Sequence, residues 1–275
     1  MPLGESRLSE DVSVFTYGGE TLAESYGSNA TVFFGKGAIV VVDPFVSPRQ
    51  AAELDALLRR RATSPVTHVV LTHHHTDHAL GAGYFAARGA EVIAHPEAAA
   101  RMAHEHPALI AGRRKDPDVA PLFQEAEPYA PSRLVAARLA FEAGGLPFDV
   151  FHPGHAHTPG DLCVYAPSLG VLVSGDLVSA GYHPNLEDAD VTRWRAALES
   201  LRGIPFRTLV PGHGPPGGRE AVDDQIRYFD QVGKIVAGTR KTAGEDETTS
   251  AVALAFPAFR LSIVLPALID RFRRM

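Results

Sequence analysis

Four histidines and one aspartate fall within the six positions of HHHTDH, residues 73–78. The 275-residue chain has 13 histidines in all, so an even distribution would place roughly 0.3 histidine in such a window. An apolar, β-branched run, THVVL, precedes the segment, and a helix-like run, DHALGAGYFAAR, begins within it. The histidines are therefore predicted to lie on a loop that joins a strand to a helix.

The spacing of these side chains favours metal binding. In the extended part of such a loop, residues two apart point the same way, so His73 and His75 can reach one metal ion while His74 faces elsewhere. Asp77 and His78, in the first helical turn, are expected to point toward a second position nearby. Imidazole and carboxylate ligands suit zinc and other borderline divalent metals, and the lack of cysteine ligands argues against an iron–sulfur or zinc-finger site.

Three further strand ends carry residues of the same kind. They are His152, His155 and His157 in DVFHPGHAHTPGD, Asp176 in VLVSGD, and His213 in TLVPGHG. Ligand-type residues at the carboxyl ends of several strands converge on one edge of an α/β sheet. We therefore predict one shared site with enough ligands for two metal ions.

Short β-branched runs alternate with helical patterns along most of the chain, which predicts the α/β class. The candidate strands are residues 12–17, 30–34, 38–43, 68–72, 91–94, 148–152, 162–166, 171–174 and 208–210. The candidate helices are residues 48–61, 77–88, 96–105, 191–201 and 219–236. A Gly-Lys-Gly turn in FFGKGAIVVVD predicts a hairpin, and hence a sheet of mixed strand direction.

Two segments depart from this alternation. Residues 104–145 contain proline, arginine and acidic residues without a clean strand, and we interpret them as a helical cap inserted into a catalytic domain of residues 1–240. Residues 241–275 are interpreted as a C-terminal helical extension, whose apolar content must be covered by the domain or by a second subunit of a homo-oligomer. The cap residues that could line a substrate pocket or pack internally are Leu122, Phe123, Tyr129 and Phe141.

Composition limits the partners and the compartment. A formal net charge of −6 gives no general attraction to nucleic acid or anionic membranes. No apolar stretch approaches the roughly 18 residues of a membrane span. The single cysteine, Cys163, allows no intrachain disulfide, and the amino terminus has no secretory pattern. We therefore expect a cytoplasmic protein that acts on a small molecule, with no nucleic-acid partner and no membrane span.

The motifs, in their order along the chain, resemble those of the metallo-β-lactamase superfamily. The H-x-H-x-D-H signature matches residues 73–78, and the match as a whole covers roughly residues 12–215. The other matched elements are G-H-T-x-G at His157, G-D at Asp176 and P-G-H at His213. The resemblance implies an αββα sandwich of two similar halves. A bridging Asp176 resembles the glyoxalase II and lactonase branches more than the secreted β-lactamases.

The resemblance also implies a ligand set. The first metal takes His73, His75 and His157, the second takes Asp77, His78 and His213, and Asp176 bridges them. One departure from the family pattern is GHAH, which offers two histidines where the family usually has one. His157 directly precedes Thr-Pro-Gly-Asp, as the family's ligand does. We therefore choose His157 as the ligand and place His155 beside the ligands or at the entrance of the site.

The implied cofactors are two zinc ions, with manganese or iron(II) as alternatives. Two divalent ions about 3.5–4 Å apart lower the pKa of a shared water toward 7, which provides a bridging hydroxide as the nucleophile. Asp77 and Asp176 are expected to hold and orient it. The loop LVSAGYHPNLED places Tyr182, His183 and Asn185 where a substrate could be contacted. His183 or Tyr182 is our candidate partner for the oxyanion, with loop structuring as the alternative role.

The predicted reaction is hydrolysis of a small carboxylic derivative: a thioester, lactone, ester or β-lactam. A phosphodiesterase or nuclease of the same fold is the first alternative, which the negative charge of the chain disfavours. A mononuclear iron oxygenase is the second, and it would not need Asp77, His78 and His213. The sequence does not distinguish among the carboxylic substrates, because many chemistries share this scaffold.

Overall fold

A computed structural model of the chain describes residues 2–239 and 245–274. The strands are β1 (Gly4–Arg7), β2 (Val12–Thr16), β3 (Asn29–Gly35), β4 (Ala38–Val42), β5 (Val66–Val70), β6 (Glu91–Ala94), β7 (Arg133–Leu134), β8 (Arg138–Ala143), β9 (Leu146–Phe151), β10 (Cys163–Ala166), β11 (Val171–Ser179) and β12 (Thr208–His213). The α-helices are α1 (Pro48–Arg61), α2 (Thr76–Ala79), α3 (Ala82–Ala86), α4 (Pro96–Arg113), α5 (Ala120–Phe123), α6 (Val191–Leu201), α7 (Glu220–Thr239), α8 (Glu245–Ala255) and α9 (Leu265–Arg273). Short 3-10 helices cover Leu22–Gly27 and Ser262–Val264.

The strands form two sheets. The first contains β1 to β7 in chain order, antiparallel from β1 to β4 and parallel from β4 to β7. The second has the order β12-β11-β10-β9-β8, antiparallel except for the parallel pair β11 and β12. The first sheet therefore has the mixed strand direction that the hairpin turn predicted, and the second sheet is mixed as well.

Apolar side chains fill the space between the two sheets and cover their outer faces. Between the sheets, Val42 of the first and Val210 of the second belong to one buried cluster. Leu54 of α1 packs on the outer face of the first sheet, and Trp194 of α6 packs on that of the second. Each such buried side chain contributes roughly 1.5–3 kcal/mol to folding. The layers follow the order helix, sheet, sheet, helix, which confirms the predicted αββα sandwich.

Local capping signals explain why two helices begin where the sequence predicted. The side chain of Ser47 accepts a hydrogen bond from the backbone of Gln50, and proline occupies the first position of α1. The carboxylate of Asp190 accepts one from the backbone of Arg193 at the start of α6. The predicted bounds 48–61 and 191–201 are both confirmed.

The prediction that residues 104–145 lack a strand is wrong. The helix α4 continues to Arg113, but β7 joins the first sheet and β8 pairs with β9 along its whole length. In β8 the more buried side chains, Leu139 and Phe141, alternate with exposed ones, and the ring of Phe141 stacks on Phe148 with centroids 5.1 Å apart. The second half of the supposed cap is thus part of the sandwich.

The C-terminal helical extension is present and packs on the catalytic domain. Val252 of α8 and Leu268 of α9 join the buried cluster that contains Val232 of α7. The proposed boundary at residues 240 and 241 lies outside the described residues. Among the helices that the structure describes, none has the length and apolar character to cross a membrane.

Candidate metal centre

The first predicted ligand group is assembled from loops of both sheets. His73 and His75 follow β5 of the first sheet, while His157 follows β9 and Asp176 lies on β11 of the second. One ligand atom from each of these four residues lies within 4.8 Å of the others. Nε2 of His157 is 3.0 Å from Nδ1 of His75. The structure therefore brings these four side chains together as predicted.

The second predicted group lies directly beside the first. The ligand atoms of Asp77, His78 and His213 are also within 4.8 Å of one another. Asp176 lies between the groups: its Oδ1 is 3.2 Å from Nε2 of His78, and its Oδ2 is 3.5 Å from Nε2 of His157 and 3.4 Å from Nε2 of His213. A carboxylate in this place can contact both groups at once.

The donor set fits divalent cations. Nδ1 of His78 faces Oδ2 of Asp43 at 3.0 Å, and Nδ1 of His213 faces the backbone oxygen of Tyr26 at 3.1 Å. Because both partners are acceptors, both Nδ1 atoms carry hydrogen, and in the neutral rings each Nε2 presents a lone pair. These two Nε2 atoms lie 3.3 Å apart. Their repulsion is relieved only by a positive species, either a proton or a metal ion.

A proton on one ring would still leave another buried atom without a partner. Oδ1 of Asp176 could accept from Nε2 of His78, 3.2 Å away, if that ring were protonated. Nε2 of His73, however, has no hydrogen-bond partner among the described residues. Such an unsatisfied buried group costs about 1–3 kcal/mol. Two divalent cations, one in each group, would satisfy both atoms as well as the facing imidazoles, so the residues present fit a metal pair.

Burial and the carboxylates set the charge of the two groups. Burial lowers the pKa of His157 to about 3, and the carboxylate of Asp176 offsets only part of this effect. Burial also opposes the charged form of His213, but the carboxylates of Asp176 and Asp77 outweigh it and raise the pKa to about 9. The second group therefore favours positive charge, as a divalent cation requires.

Asp43 positions His78 and was not identified from the sequence. Its carboxylate accepts hydrogen bonds from the backbone and the hydroxyl of Thr72, at 2.8 and 2.6 Å, in addition to its contact with His78. The residue adopts φ of 56°, a left-handed conformation that is uncommon for a non-glycine residue. The available signal was an aspartate at the carboxyl end of β4, the same sheet edge to which the ligands were assigned.

Asp188 is the second residue that was not identified from the sequence, and its contacts show that the two histidines of GHAH have different roles. Its Oδ2 lies 3.4 Å from Nε2 of His75, which leaves Nδ1 of that ring facing the ligand group. Its backbone oxygen accepts a hydrogen bond from Nε2 of His155 at 2.8 Å. The structure thus places His157 within the first group and His155 against the loop beside it.

Two backbone features position the proposed ligands Asp77 and Asp176. The hydroxyls of Ser25 and Ser28 donate to the backbone oxygen of Asp77 at 3.1 and 2.8 Å, which fixes the start of α2. At Gly212, a Cβ atom would lie 1.8 Å from Oδ1 of Asp176. Only glycine allows the two strand ends to approach this closely.

A cavity of about 540 Å³ opens over both groups. His75, Asp77, Asp176 and His213 are among its lining residues. The four supposed cap residues Leu122, Phe123, Tyr129 and Phe141 do not line it. They pack elsewhere: Phe123 is fully buried, and the hydroxyl of Tyr129 donates to the backbone oxygen of Ala79 at 2.6 Å. Of the two roles left open for these residues, the structure shows internal packing.

His183 and Asn185 do line the cavity, whereas Tyr182 is buried beside it against the ring of His213. The ring of His183 is 1% exposed, and its Nδ1 lies 2.7 Å from the hydroxyl of Tyr228. Burial lowers the pKa of His183 to about 4, so the ring is neutral near pH 7. A neutral ring has one N–H to donate.

The sandwich and the converging histidines and aspartates define a metal-dependent hydrolase. The chain belongs to the metallo-beta-lactamase superfamily, whose family model matches residues 24–213. Membership implies divalent metal ions at the clustered histidines and aspartates. The preference for the glyoxalase II and lactonase branches stays a prediction.

Proteins similar to this chain include metallo-beta-lactamases and an O-demethylase subunit. The chain is 28% identical over 219 residues to a metallo-beta-lactamase type 2 of Bacillus cereus, covering 78% of this chain and 77% of that protein. It is 28% identical over 181 residues to the 2,4-dinitroanisole O-demethylase subunit alpha of Nocardioides sp. (strain JS1661), covering 65% and 50%. The solved structure of a metallo-beta-lactamase from Pontibacter korlensis matches with a TM-score of 0.68 at 23% identity, covering 82% of this chain and 98% of that one.

Proposed function

We propose that the chain is a dinuclear hydrolase, with zinc as its metal, that cleaves a small carboxylic derivative: a thioester, lactone, ester or β-lactam. The observation that carries the proposal is the position of Asp176 between two ligand groups. The first ion would be held by His73, His75 and His157 and the second by Asp77, His78 and His213, with Asp176 contacting both. Manganese and iron(II) remain alternatives, because imidazole and carboxylate ligands also suit them.

The metal pair would supply activated water and would polarise the carbonyl oxygen of the substrate. The protein's own residues orient the reactants. Asp77 lines the cavity, so its carboxylate can accept a hydrogen bond from the attacking water and hold it toward the substrate. His183 is neutral and lines the same cavity, so an N–H of its ring can donate to the oxygen on which negative charge develops.

The charges around the cavity support a carboxylic substrate over a phosphodiester. Besides Asp77 and Asp176 of the ligand groups, three further acids line the cavity: Glu105, Glu187 and Asp188. Arg101 also lines it, but this guanidinium is hydrogen-bonded to Glu105 and lies 3.0 Å from Oδ1 of Asp188. A polyanion would find little attraction here beyond the metals. The complete second ligand group likewise speaks against a mononuclear oxygenase.

Metal content and substrate range test the proposal. After gentle purification and zinc reconstitution, elemental analysis should find two ions per chain. The zinc, manganese and iron forms are then compared on chromogenic lactam, lactone, thioester, aryl ester and bis(aryl) phosphodiester substrates. We expect hydrolysis of at least one carboxylic substrate. One ion or none per chain, or a dominant phosphodiesterase activity, would contradict the proposal.

A further inference from the structure

The C-terminal extension contributes part of the lining of the cavity. Leu261, Ile263, Val264 and Ala267 line the cavity from the 3-10 helix Ser262–Val264 and the beginning of α9, and Leu109 of α4 also lines it. We call these five residues the apolar wall. Nothing in the metal chemistry requires apolar side chains at this place.

Ile263 is unusually exposed for a large apolar residue. Its side chain is 80% exposed, although a large apolar residue normally gains free energy by burial. Leu134 and Leu254 are the other large apolar residues with high exposure among the described parts of the chain, and neither lines the cavity. An apolar group that enters the cavity would cover Ile263.

The apolar wall is fixed to the catalytic domain. The backbone N–H of Leu261 donates to Oε2 of Glu20 at 2.8 Å, and that of His183 donates to the backbone oxygen of Arg260 at 2.9 Å. The backbone N–H of Arg260 donates to the oxygen of Gly181 at 3.0 Å. Leu261 itself is held at φ of 60°, a conformation that costs a non-glycine residue about 1–2 kcal/mol. These contacts make the wall a preformed binding surface.

The acids of the cavity restrict the charge of the occupant. Glu105, Glu187 and Asp188 would repel an anionic substituent, and Arg101 already binds two of them. The favoured occupant is therefore uncharged and apolar.

We propose that the C-terminal extension determines substrate specificity, and that the apolar wall, to which it contributes four of the five residues, binds an uncharged aliphatic acyl substituent of the carboxylic substrate. This inference rests on the proposed hydrolase function, which supplies the bond to be cleaved. It assigns to the wall the recognition of the acyl chain, while the reacting carbonyl lies over the ligand groups.

Chain-length dependence tests the assignment. For the zinc-loaded full chain, kcat/KM on 4-nitrophenyl alkanoates should rise about twofold per methylene from butanoate to octanoate. A fully buried methylene would give a roughly fourfold gain, and a twofold gain corresponds to half of that free energy. Ile263→Asp should lose most of this gain. Leu254→Asp is the matched control, since Leu254 is equally exposed on the same extension but lies outside the cavity, and it should keep the gain. Equal gains in the two variants would overturn the assignment.

A binding measurement separates failure of the inference from failure of the proposed function. Calorimetric titration of the zinc-loaded protein should show tighter binding of octanoate than of butanoate, and Ile263→Asp should reduce the difference. If no ester is hydrolysed, the proposed function fails, and this titration alone decides the inference.

An octanoyl-length ester with a terminal carboxylate should lose the chain-length gain, and full retention would overturn the charge argument. A wild-type dimer that Ile263→Asp dissociates, but Leu254→Asp does not, would assign the wall to a second copy of the chain and overturn the inference.

Discussion

Oδ2 of Asp43 lies 3.0 Å from Nδ1 of His78, and both side chains are buried. The contact fixes the hydrogen on Nδ1 and turns Nε2 toward the second ligand group. Asp43 is in turn held by the backbone and the hydroxyl of Thr72, the residue that precedes the first histidine of the segment. A residue outside the seven proposed ligands thus orients one of them.

Asp43→Asn should weaken zinc binding at the second group by about 10–100-fold, the usual effect of removing a partner that orients a metal ligand. The amide has the size of the carboxylate, but its N–H₂ group cannot accept the hydrogen bonds that Thr72 and His78 donate to Asp43. Stepwise zinc titration measures the two affinities. Asp55→Asn is the control, because Asp55 is a buried acid bonded to Arg59 and Tyr84 away from the site. If both variants lose second-site affinity alike, Asp43 does not have this role.

His157→Ala should lose the metal of the first group and nearly all turnover, because the ring belongs to that group. His155→Ala should retain both ions, since the ring of His155 contacts only the backbone oxygen of Asp188 among the contacts that the structure describes. Elemental analysis and turnover measurements of each variant show which of the two histidines belongs to the first group. The reverse result would mean that the motif was aligned to the wrong histidine.

Asp176→Ala should weaken both metal sites together and lower activity by orders of magnitude, because this carboxylate lies between the two groups. Stepwise zinc titration gives both affinities, and circular dichroism checks that the variant is folded. Loss of a single site would restrict Asp176 to that site. Full activity with intact metal content would remove the bridging role.

His183 should make the stability of the protein depend on pH. Burial lowers its pKa to about 4 in the folded chain, below the value of about 6.5 expected in the unfolded chain. The unfolded state therefore binds the proton first, and the stability contributed by the neutral ring is lost as the pH falls from about 6.5 toward about 4. The ring contacts the hydroxyl of Tyr228 and the rings of Phe256 and Phe259, and the carboxylate of Glu20 is the charged group that acts on it.

Between pH 7 and pH 5, the wild type should lose roughly 1–2 kcal/mol more stability than His183→Gln. Urea denaturation at the two pH values measures this difference. The kinetics of the same variant examine the oxyanion role: a fall in kcat with little change in KM supports it, because such a contact forms only in the transition state. Unchanged kcat would leave His183 as a residue that structures the loop.

The parts of the structure that local patterns determine were predicted well. The strand before HHHTDH and the capped starts of α1 and α6 depend on residues close together in sequence. The helix predicted over residues 77–88 begins in the expected place but is divided into α2 and α3. By contrast, β8 was missed because its short alternating pattern, RLAFEA, lies in a segment rich in proline and charge, and only pairing with β9 identifies it. Asp43 and Asp188 were missed because their histidine partners lie 35 and 113 positions away, and such contacts leave no local pattern.

The division of the ligands between the two sheets has a consequence for biosynthesis. The segment after β5 supplies His73, His75, Asp77 and His78, whereas the second sheet and its loops supply the other three. His213 is synthesised 140 positions after His73. A nascent chain therefore exposes several side chains of metal-binding type long before the last one leaves the ribosome. If both groups hold metal as proposed, the complete site forms only when the second half has folded onto the first, and loading with metal is then expected to be a late step in maturation.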